Sequence, residues 1–236
     1  MIEISQLTKS LTGGGHRVEI LNGVDLTIPG GQFVAVTGAS GSGKTTLLSL
    51  IAGLDTPTSG TIVIDREDIT KLDEDELAAL RARRFGFIFQ NFHLIPTLTA
   101  LENVVLAAEL NQAPGARKKS EDLLGMVGLD DRWHHYPAQL SGGEQQRLCL
   151  ARAFVNEPDI VLADEPTGNL DSKNSRRIID LMLKLHGTKR ATLLLVTHEP
   201  DIAAKTQRVL TLEDGVIVED TRPGQPPRPV SGSSPK

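Results

Sequence analysis

A glycine-rich turn limits what this chain can fold into more than any other feature of its sequence. The residues GASGSGKT, from Gly38 to Thr45, follow the apolar run FVAVT and precede KTTLLSLIAGL, whose apolar positions have helical spacing. The turn matches G-x-x-x-x-G-K-[ST] at every fixed position, and its glycines let successive backbone N–H groups approach a phosphate chain. The sequence therefore predicts a strand, a phosphate-binding loop and a helix, in that order.

The chemistry of such a loop assigns a role to each residue type. Backbone N–H groups from Ser40 to Lys44 can wrap phosphates, and the helix N-terminus adds partial positive charge. We expect Lys44 to reach the β- and γ-phosphates and the Thr45 hydroxyl to ligate Mg²⁺, whereas a flexible Gly/Ser linker would need neither. The predicted nucleotide-binding residues of the loop are Gly38, Ala39, Ser40, Gly41, Ser42, Gly43, Lys44, Thr45 and Thr46.

Three further apolar runs also end in polar residues that can bind a metal or transfer a proton. FGFIF runs into Gln90, IVLA into Asp164 and Glu165, and LLLVT into His198. Runs that are apolar almost throughout are typical of parallel strands covered on both faces. Because ligands lie beyond the carboxyl ends of such strands, we expect these ends and the glycine loop to converge on one site. The pattern predicts an α/β fold with a mostly parallel sheet.

Each of these polar residues has a predicted role and a plain structural alternative. We expect Asp164 to hold Mg²⁺, directly or through water, and Gln90 to ligand Mg²⁺ and orient a water molecule. Glu165 is the candidate general base, and His198 is a candidate contact for the γ-phosphate or the attacking water. The alternatives are acids before a turn, an incidental histidine and an ordinary loop glutamine. The predicted metal ligands are thus Thr45, Gln90 and Asp164.

A second glycine turn opens the segment LSGGEQQRLCLARAF, from Leu140 to Phe154. Ser141 and Glu144 form S-x-x-E, which predicts a capping box at the start of a helix. A capping box does not explain Gly142 and Gly143, because we expect side chains there to cost nothing and to favour the helix. An exposed helix N-terminus with two glycines is suited to an anion, so we predict that it serves a phosphate bound elsewhere.

The organisation of the rest of the chain follows from local composition. Residues from about 91 to 157 are mainly helical in pattern, which predicts an inserted helical subdomain within one domain of residues 1–221. The segment DEDELAALRARR, Asp73 to Arg84, places acids in the first turn and bases in the last, which complements a helix dipole. Residues 222–236 are rich in proline, glycine and serine, so we expect a disordered tail. The single cysteine, Cys149, is interpreted as a small buried hydrophobe.

Composition excludes some classes of partner. The 236 residues are 39% hydrophobic, enough for a packed core, and carry a net charge of -5. This charge argues against general affinity for nucleic acid or anionic membranes. The sequence has no apolar run of about 18 residues and no signal-peptide pattern. We therefore expect a cytoplasmic protein that reaches a membrane only through a protein partner.

The motifs GASGSGKT, IVLADE, LSGGEQ, GNLD and VTH together resemble an ATP-binding-cassette (ABC) ATPase subunit. The resemblance implies a P-loop NTPase fold with an N-terminal antiparallel β portion. It also implies a head-to-tail homodimer in which the LSGGEQ turn of one subunit closes on the Mg·ATP held by the glycine loop of the other. The residues implied to contact ATP across the dimer are Ser141, Gly142, Gly143 and Glu144, with Asp171 coupling the two sites.

Longer stretches resemble one subgroup of that family. ADEPTGNLD, GLDTPTSG and LRARRFGFIFQNFHLIPTLTALENV resemble the LolD/MacB-type subunits, and PAQLSGGEQQR is most similar to the YbbA-like ones. The resemblance implies a permease of the MacB/FtsX type, contacted around Asn91–Val104, on the cytoplasmic face of the inner membrane. The apolar residues of that stretch suit a permease groove or local core packing. A soluble non-transport ABC ATPase and a binding module that never hydrolyses ATP are the alternatives.

One position departs from the family pattern. The family stacks adenine on an aromatic residue shortly before the glycine loop, and Leu11 stands there in this chain. An apolar side chain still covers an adenine face but loses roughly 1 kcal/mol of stacking. The departure predicts weaker discrimination for adenine, with GTP also accepted.

Overall fold

The computed structural model describes residues 1–13, 16–112, 114–222 and 228–229. The chain divides into two compact units, the first formed by Met1–Leu77 with Thr192–Lys236 and the second by Ala78–Ala191. The predicted tail lies outside the described residues, except for residues 222, 228 and 229. Over the described residues, no helix is long and apolar enough to cross a bilayer.

The helices and strands follow in chain order. The strands are β1 (Ile2–Gly13), β2 (His16–Ile28), β3 (Phe33–Thr37), β4 (Ser59–Ile64), β5 (Glu67–Asp68), β6 (Phe85–Phe89), β7 (Ile160–Asp164), β8 (Thr192–Val196), β9 (Arg208–Glu213), β10 (Val216–Thr221) and β11 (Arg228–Pro229). The α-helices are α1 (Lys44–Ile51), α2 (Glu74–Arg84), α3 (Ala100–Leu110), α4 (Ala116–Met126), α5 (Gly142–Phe154), α6 (Ser172–Lys189) and α7 (Pro200–Ala203).

The first unit contains an antiparallel sheet with the strand order β2-β1-β4-β5. In β2, Val24, Leu26 and Ile28 are buried, whereas Asp25 and Thr27 between them are exposed. This alternation is typical of an antiparallel strand with one face on the core and the other in water. The antiparallel β portion implied by the family resemblance is therefore confirmed.

The first unit also contains the strand that leads into the glycine loop. β3 pairs in parallel with both β8 and β9, so that Val36 lies opposite Val196 on one side and Leu210 on the other. Val34 and Leu194 are 0% exposed, as expected for strands covered on both faces. The predicted strands FVAVT and LLLVT are thereby confirmed. The next strand, β10, pairs antiparallel with β9.

The second unit is built around the parallel pair β6 and β7, with four helices, α3 to α6. The register runs from Phe85 opposite Ile160 to Phe89 opposite Asp164. A Cβ atom on Gly86 of β6 would lie 2.3 Å from the carbonyl oxygen of Ala153 in α5. Only glycine allows this approach, and it fixes the position of α5 against the strand.

The charged helix α2 has the arrangement that a helix dipole favours. Its first turn carries three acids and its last turn three arginines, of which Arg84 donates from Nε to Asp159 Oδ2 at 2.8 Å. Before the helix, Asp73 and Glu76 cap each other reciprocally, with each backbone N–H donating to the other carboxylate at 2.9 Å. The charges thus have the structural cause expected from their spacing.

Candidate functional site

The glycine loop has a backbone path that only glycine can follow at its two ends. Gly38 has φ 141° and Gly43 has φ 103°. A Cβ atom on Gly38 would lie 2.0 Å from the carbonyl oxygen of Leu212, and one on Gly43 would lie 2.8 Å from that of Ile20. Around Gly41, by contrast, a Cβ atom would meet nothing within 4 Å. The loop is therefore anchored at both ends and open in the middle.

Lys44, the first residue of α1, folds back over this loop. Its side chain is 8% exposed, and its Nζ donates to the carbonyl oxygens of Gly38 at 3.0 Å and Ala39 at 2.7 Å. Both acceptors are uncharged groups, so neither neutralises the ammonium charge. Thr45, the next residue, is exposed at the start of the helix, and Thr46 is half-buried. A phosphate chain entering the loop would meet a lysine already placed beside it.

The same edge of the first unit carries His198. Thr197 donates its backbone N–H to the carbonyl oxygen of Val36 at 3.2 Å, which ties the end of β8 to the end of β3. His198 follows as an exposed residue. The carboxyl ends of β3 and β8 thus bring the glycine loop and His198 to one edge, as parallel pairing dictates.

Leu11 lies in the hairpin of β1 and β2, in the same unit. It is 54% exposed and pairs with Val18, which is 60% exposed. Residues directly opposite on antiparallel strands share a face, so the two side chains form one small exposed apolar surface. This surface contains no aromatic ring.

The second unit brings Gln90 together with Asp164, the last residue of β7, and with Glu165, which follows it. The strand register places the residue before Gln90 opposite Asp164, so Gln90 and Glu165 leave their strands side by side. Asn169 donates from Nδ2 to the backbone carbonyl oxygen of Gln90 at 2.9 Å. A Cβ atom on Gly168 would lie 2.8 Å from Gln90 Nε2. Gln90 is therefore held against the turn that follows the acids.

Glu165 has an unusual backbone conformation. Its φ is 44°, in the left-handed region that side chains other than glycine adopt at a cost of roughly 1–2 kcal/mol. The backbone N–H of Gly168 donates to its carbonyl oxygen at 3.1 Å, which closes a tight turn. Strain of this kind persists where the surrounding structure fixes it, and it is concentrated at functional sites.

The second glycine turn forms the predicted capping box. Glu144 accepts from the backbone N–H of Ser141 at 2.8 Å and from its hydroxyl at 2.7 Å, and Ser141 Oγ accepts from the Glu144 backbone N–H at 3.4 Å. Arg132 adds a contact from Nε to Glu144 Oε1 at 3.3 Å. These hydrogen bonds, chiefly those from Ser141, lower the pKa of the Glu144 carboxyl.

The two glycines of this turn differ in their surroundings. A Cβ atom on Gly143 would lie 3.1 Å from Cγ and Oδ1 of Asn174, closer than an ordinary contact. A side chain at Gly143 would therefore require the Asn174 side chain of α6 to shift by a few tenths of an ångström, a demand that the sequence pattern does not reveal. At Gly142 the nearest atom is Leu170 Cδ2 at 3.6 Å, an ordinary contact. Packing against Asn174 thus restricts the space at Gly143, whereas the space at Gly142 is not restricted in this way.

Asp171 caps α6 beside this turn. It accepts from the backbone N–H groups of Lys173 at 3.0 Å and Asn174 at 2.9 Å, and from Asn174 Nδ2 at 2.7 Å. These hydrogen bonds, chiefly those from Asn174, lower the pKa of the Asp171 carboxyl. Asn174 therefore links the cap of α6 to the glycine turn at the start of α5, a link that the sequence motifs do not reveal.

Residues 92–99, here called the docking segment, connect β6 to α3. Phe92, Leu94 and Leu98 are half-buried and Ile95 is 39% exposed. The segment contacts Asn103 of α3 and two residues of α5, Cys149 and Arg152, none of which the motifs had indicated as anchors. The thiol of Cys149 is buried, which raises its pKa to about 12, as expected for an unreactive hydrophobe.

The predicted metal ligands combine three kinds of oxygen donor. Thr45 offers a hydroxyl, Gln90 an amide and Asp164 a half-buried carboxylate. The described part of the chain contains no group of three or more His, Cys, Asp or Glu that could hold a metal ion. Mg²⁺ is usually bound by one or two carboxylates together with substrate phosphates, and Asp164 offers a carboxylate of this kind.

Comparison with known families decides the class of protein. The family model described as "ABC transporter" matches residues 21–168, more than half of the chain. The chain belongs to the ABC transporter family. Within the family it is an ATP-binding ATPase subunit of the LolD and MacB type, as its motifs predicted.

Three proteins illustrate what this ABC subunit is similar to. It is 48% identical over 219 residues to the lipoprotein-releasing system ATP-binding protein LolD of Syntrophotalea carbinolica, covering 92% of this chain and 96% of LolD. It is 46% identical to the ABC transporter ATP-binding protein YbbA of Escherichia coli K12, covering 93% and 97%. It is 45% identical to the macrolide export ATP-binding/permease protein MacB of Brucella abortus, covering 94% of this chain but 34% of MacB. The chain thus spans about a third of the MacB proteins.

Two solved structures of the bacterial ABC transporter cassette MJ0796 share the fold. One is dimeric, in a post-hydrolysis state bound to ADP and Pi, with a TM-score of 0.88 and 40% identity over 95% of this chain and 100% of that chain. The other is also dimeric, with a TM-score of 0.89 and 41% identity over the same shares. The predicted ABC-type P-loop fold is confirmed.

Proposed function

We propose that this ABC subunit dimerises head to tail on Mg·ATP and uses ATP hydrolysis to drive a membrane permease of the MacB/FtsX type. The observation that supports the proposal is that the chain forms two different helix starts of the kind that suits a phosphate. One is the loop closed by Lys44 in the first unit, and the other is the turn capped by Ser141 in the second. The dimeric state of the related MJ0796 cassettes supports a pairing of the two between subunits.

In this proposal the glycine loop binds the triphosphate of its own subunit. Lys44 leaves the carbonyl oxygens of Gly38 and Ala39 for the β- and γ-phosphates, while the N–H groups of the loop surround them. The glycine turn of the partner subunit, with Ser141, Gly142, Gly143 and Glu144, closes on the γ-phosphate. Asp171, anchored beside that turn, couples the two nucleotide sites.

Mg²⁺ fits the donors that the proposal assigns to it. The half-buried Asp164 carboxylate, the Gln90 amide and the Thr45 hydroxyl are hard oxygen donors of the kind that Mg²⁺ prefers. When bound, the ion supplies positive charge that offsets the charge developing on the transferred phosphoryl group.

Glu165 and His198 carry the chemical step. The Glu165 carboxylate accepts a proton from a water molecule as the water oxygen bonds to the γ-phosphorus. The bond from that phosphorus to the bridging oxygen breaks, and ADP leaves with the electron pair. His198 hydrogen-bonds to the γ-phosphate and the water, which keeps the two in line. The strained turn at Glu165 supports this role, since it fixes where the carboxylate begins.

The partner in the membrane is a permease that contacts residues Asn91–Val104, at the cytoplasmic face of the inner membrane. The half-exposed apolar residues of the docking segment support this assignment. The LolD and MacB names of the relatives, which refer to lipoprotein release and macrolide export, support a permease of that type. The substrate would be recognised by the permease.

A conservative variant tests the function. We expect Glu165→Gln to bind Mg·ATP but to hydrolyse it at least about 100-fold more slowly, because a general base contributes that much or more. The variant should then accumulate as an ATP-bound dimer in gel filtration. Glu109→Gln, at an exposed position of α3, is the matched control and should hydrolyse ATP normally. Parental phosphate release by Glu165→Gln would exclude Glu165 as the base.

Nucleotide selectivity tests the site around Leu11. Because the exposed Leu11 and Val18 surface lacks a ring, we expect ATP and GTP to be hydrolysed at comparable kcat/KM. Leu11→Tyr should restore stacking and shift the ratio toward ATP by about fivefold. Leu54→Tyr, at another exposed leucine, is the control. Strict ATP selectivity in the parent chain would contradict this assignment.

A further inference from the structure

The docking segment is fixed to two different helices, one at each half. Asn103 of α3, which is 2% exposed, holds the second half. Its Oδ1 accepts from the backbone N–H of Ile95 at 2.8 Å, and its Nδ2 faces the carbonyl oxygens of Ile95, Leu98 and Thr99 at 3.0 to 3.2 Å. A buried amide with this many partners makes the second half of the segment follow α3.

The first half of the segment is held by α5. Arg152 donates from Nη1 to the carbonyl oxygen of His93 at 2.6 Å and from Nη2 to that of Phe92 at 2.8 Å. The Cys149 thiol donates to the same Phe92 carbonyl at 3.2 Å. His93 has φ 49°, and its ring meets the edge of Phe89 with centroids 5.1 Å apart. The Arg152 guanidinium thus donates to two successive carbonyl oxygens and holds the bend of the docking segment at Phe92 and His93.

We propose that Arg152 is a positioning residue that makes the docking segment move with α5, the helix that starts at the glycine turn of Ser141. The inference rests on the function proposed above and adds a path within one subunit. Arg152 lies 11 positions after Ser141, about 16 Å along a helix at 1.5 Å per residue. Because a helix of this length is stiff and Gly86 packs α5 closely on β6, a shift at the nucleotide end is carried to the docking segment.

A simpler role must be separated from this one. Arg152 is the basic residue in the last turn of α5, where any positive charge is favourable to the helix dipole. Arg152→Lys keeps this charge but lacks the planar fork that contacts two carbonyls at once. Arg152→Met removes both. A dipole role therefore predicts that lysine restores the parental behaviour, whereas a positioning role predicts that it does not.

Hydrogen exchange of the 236-residue chain tests the inference without any permease. In the Glu165→Gln background, Mg·ATP should slow the exchange of amides in residues 141–150 and in residues 92–99. With Arg152→Met or Arg152→Lys added, we expect the slowing at 141–150 to remain and that at 92–99 to fall by about tenfold. Arg117→Met, which removes an exposed arginine from α4, is the matched control and should change neither region.

Two results would overturn this inference and leave the proposed function standing. One is equal slowing of residues 92–99 with and without Arg152, and the other is full recovery with lysine. If Arg152→Met does not fold, Arg152→Lys alone gives the same decision. Absence of any slowing at 141–150 in the Glu165→Gln background would instead overturn the proposed dimer, so the two failures are distinguishable.

Discussion

Glu165 combines a proposed chemical role with a backbone conformation that disfavours any side chain. The residue directly follows β7, and its backbone has φ 44°. The left-handed region costs an ordinary residue roughly 1–2 kcal/mol, whereas glycine adopts it freely. Function and folding therefore make opposite demands on this residue.

Two substitutions at this residue measure the conflict. Glu165→Gly and Glu165→Ala both remove the carboxylate, so both should lose hydrolysis. We expect the glycine variant to have a free energy of unfolding about 1 kcal/mol higher than the alanine variant, because only alanine carries the left-handed strain. Urea denaturation of the two variants gives the comparison. An alanine variant as stable as the glycine variant would show that the turn relaxes when the glutamate is removed.

At the scale of elements, α2, α3 and α5 each begin with a reciprocal cap, but only α5 faces a proposed nucleotide. Ser141 and Glu144 cap α5, and Asp73 and Glu76 cap α2. Ser141→Ala and Asp73→Ala should each lower the free energy of unfolding by about 1 kcal/mol. Only Ser141→Ala should also weaken the ATP-bound dimer of the Glu165→Gln variant, as measured by gel filtration. Equal dimer affinity in both variants would show that Ser141 acts only as a helix cap and does not contact the nucleotide.

The sequence predicts some elements well for a physical reason. The strands β3, β7 and β8 are buried on both faces, and β6 is buried on one face and half-buried at Phe87 and Phe89 on the other, so their runs are apolar and end visibly at polar residues. The capping box of Ser141 is equally local, because both of its partners lie within four residues. Where a feature depends on neighbours in the chain, its pattern survives in the sequence.

Contacts between distant segments leave no such pattern. Asn174 lies 31 positions after Gly143, and nothing near either residue signals that the Asn174 side chain packs against this glycine. Arg152 donates to backbone carbonyls, which every residue possesses, so its partners at residues 92 and 93 cannot be read from side-chain types. The one available signal was Asn103, a polar residue within the apolar pattern of α3.

At the scale of the whole molecule, each chain carries one copy of each half of the proposed composite site. Lys44→Ala should disable the loop half, and Gly142→Asp should disable the turn half by placing a carboxylate against the γ-phosphate. An acid at this position is tolerated by the helix dipole, and a Cβ atom there makes only ordinary contacts, so the variant should fold. Each variant alone is expected to be inactive.

Mixing the two variants tests the pairing directly. In an equimolar mixture, half of the dimers contain one of each, and in those dimers one site has an intact loop and an intact turn. If sites turn over independently, the mixture should recover about a quarter of parental ATPase activity. Lys44→Ala mixed with Glu165→Gln is the control and should stay inactive. The loop and the base of one site belong to the same subunit, so each site of a mixed dimer lacks either Lys44 or Glu165. Complete inactivity of the first mixture would contradict a head-to-tail arrangement.

The hydroxyl of Ser141 has a further consequence for the energetics of closure. In the free chain it already donates its proton to the Glu144 carboxylate at 2.7 Å. To donate to a phosphate oxygen it must first give up this bond, so closure exchanges one anionic acceptor for another and gains little from the hydroxyl itself. Within its own subunit, Glu144 thus occupies the hydrogen bond that the Ser141 hydroxyl would offer to a phosphate. In the proposed dimer, affinity between subunits would then come from the backbone N–H groups of the turn and from Gly142, where a Cβ atom would make only ordinary contacts within its own chain.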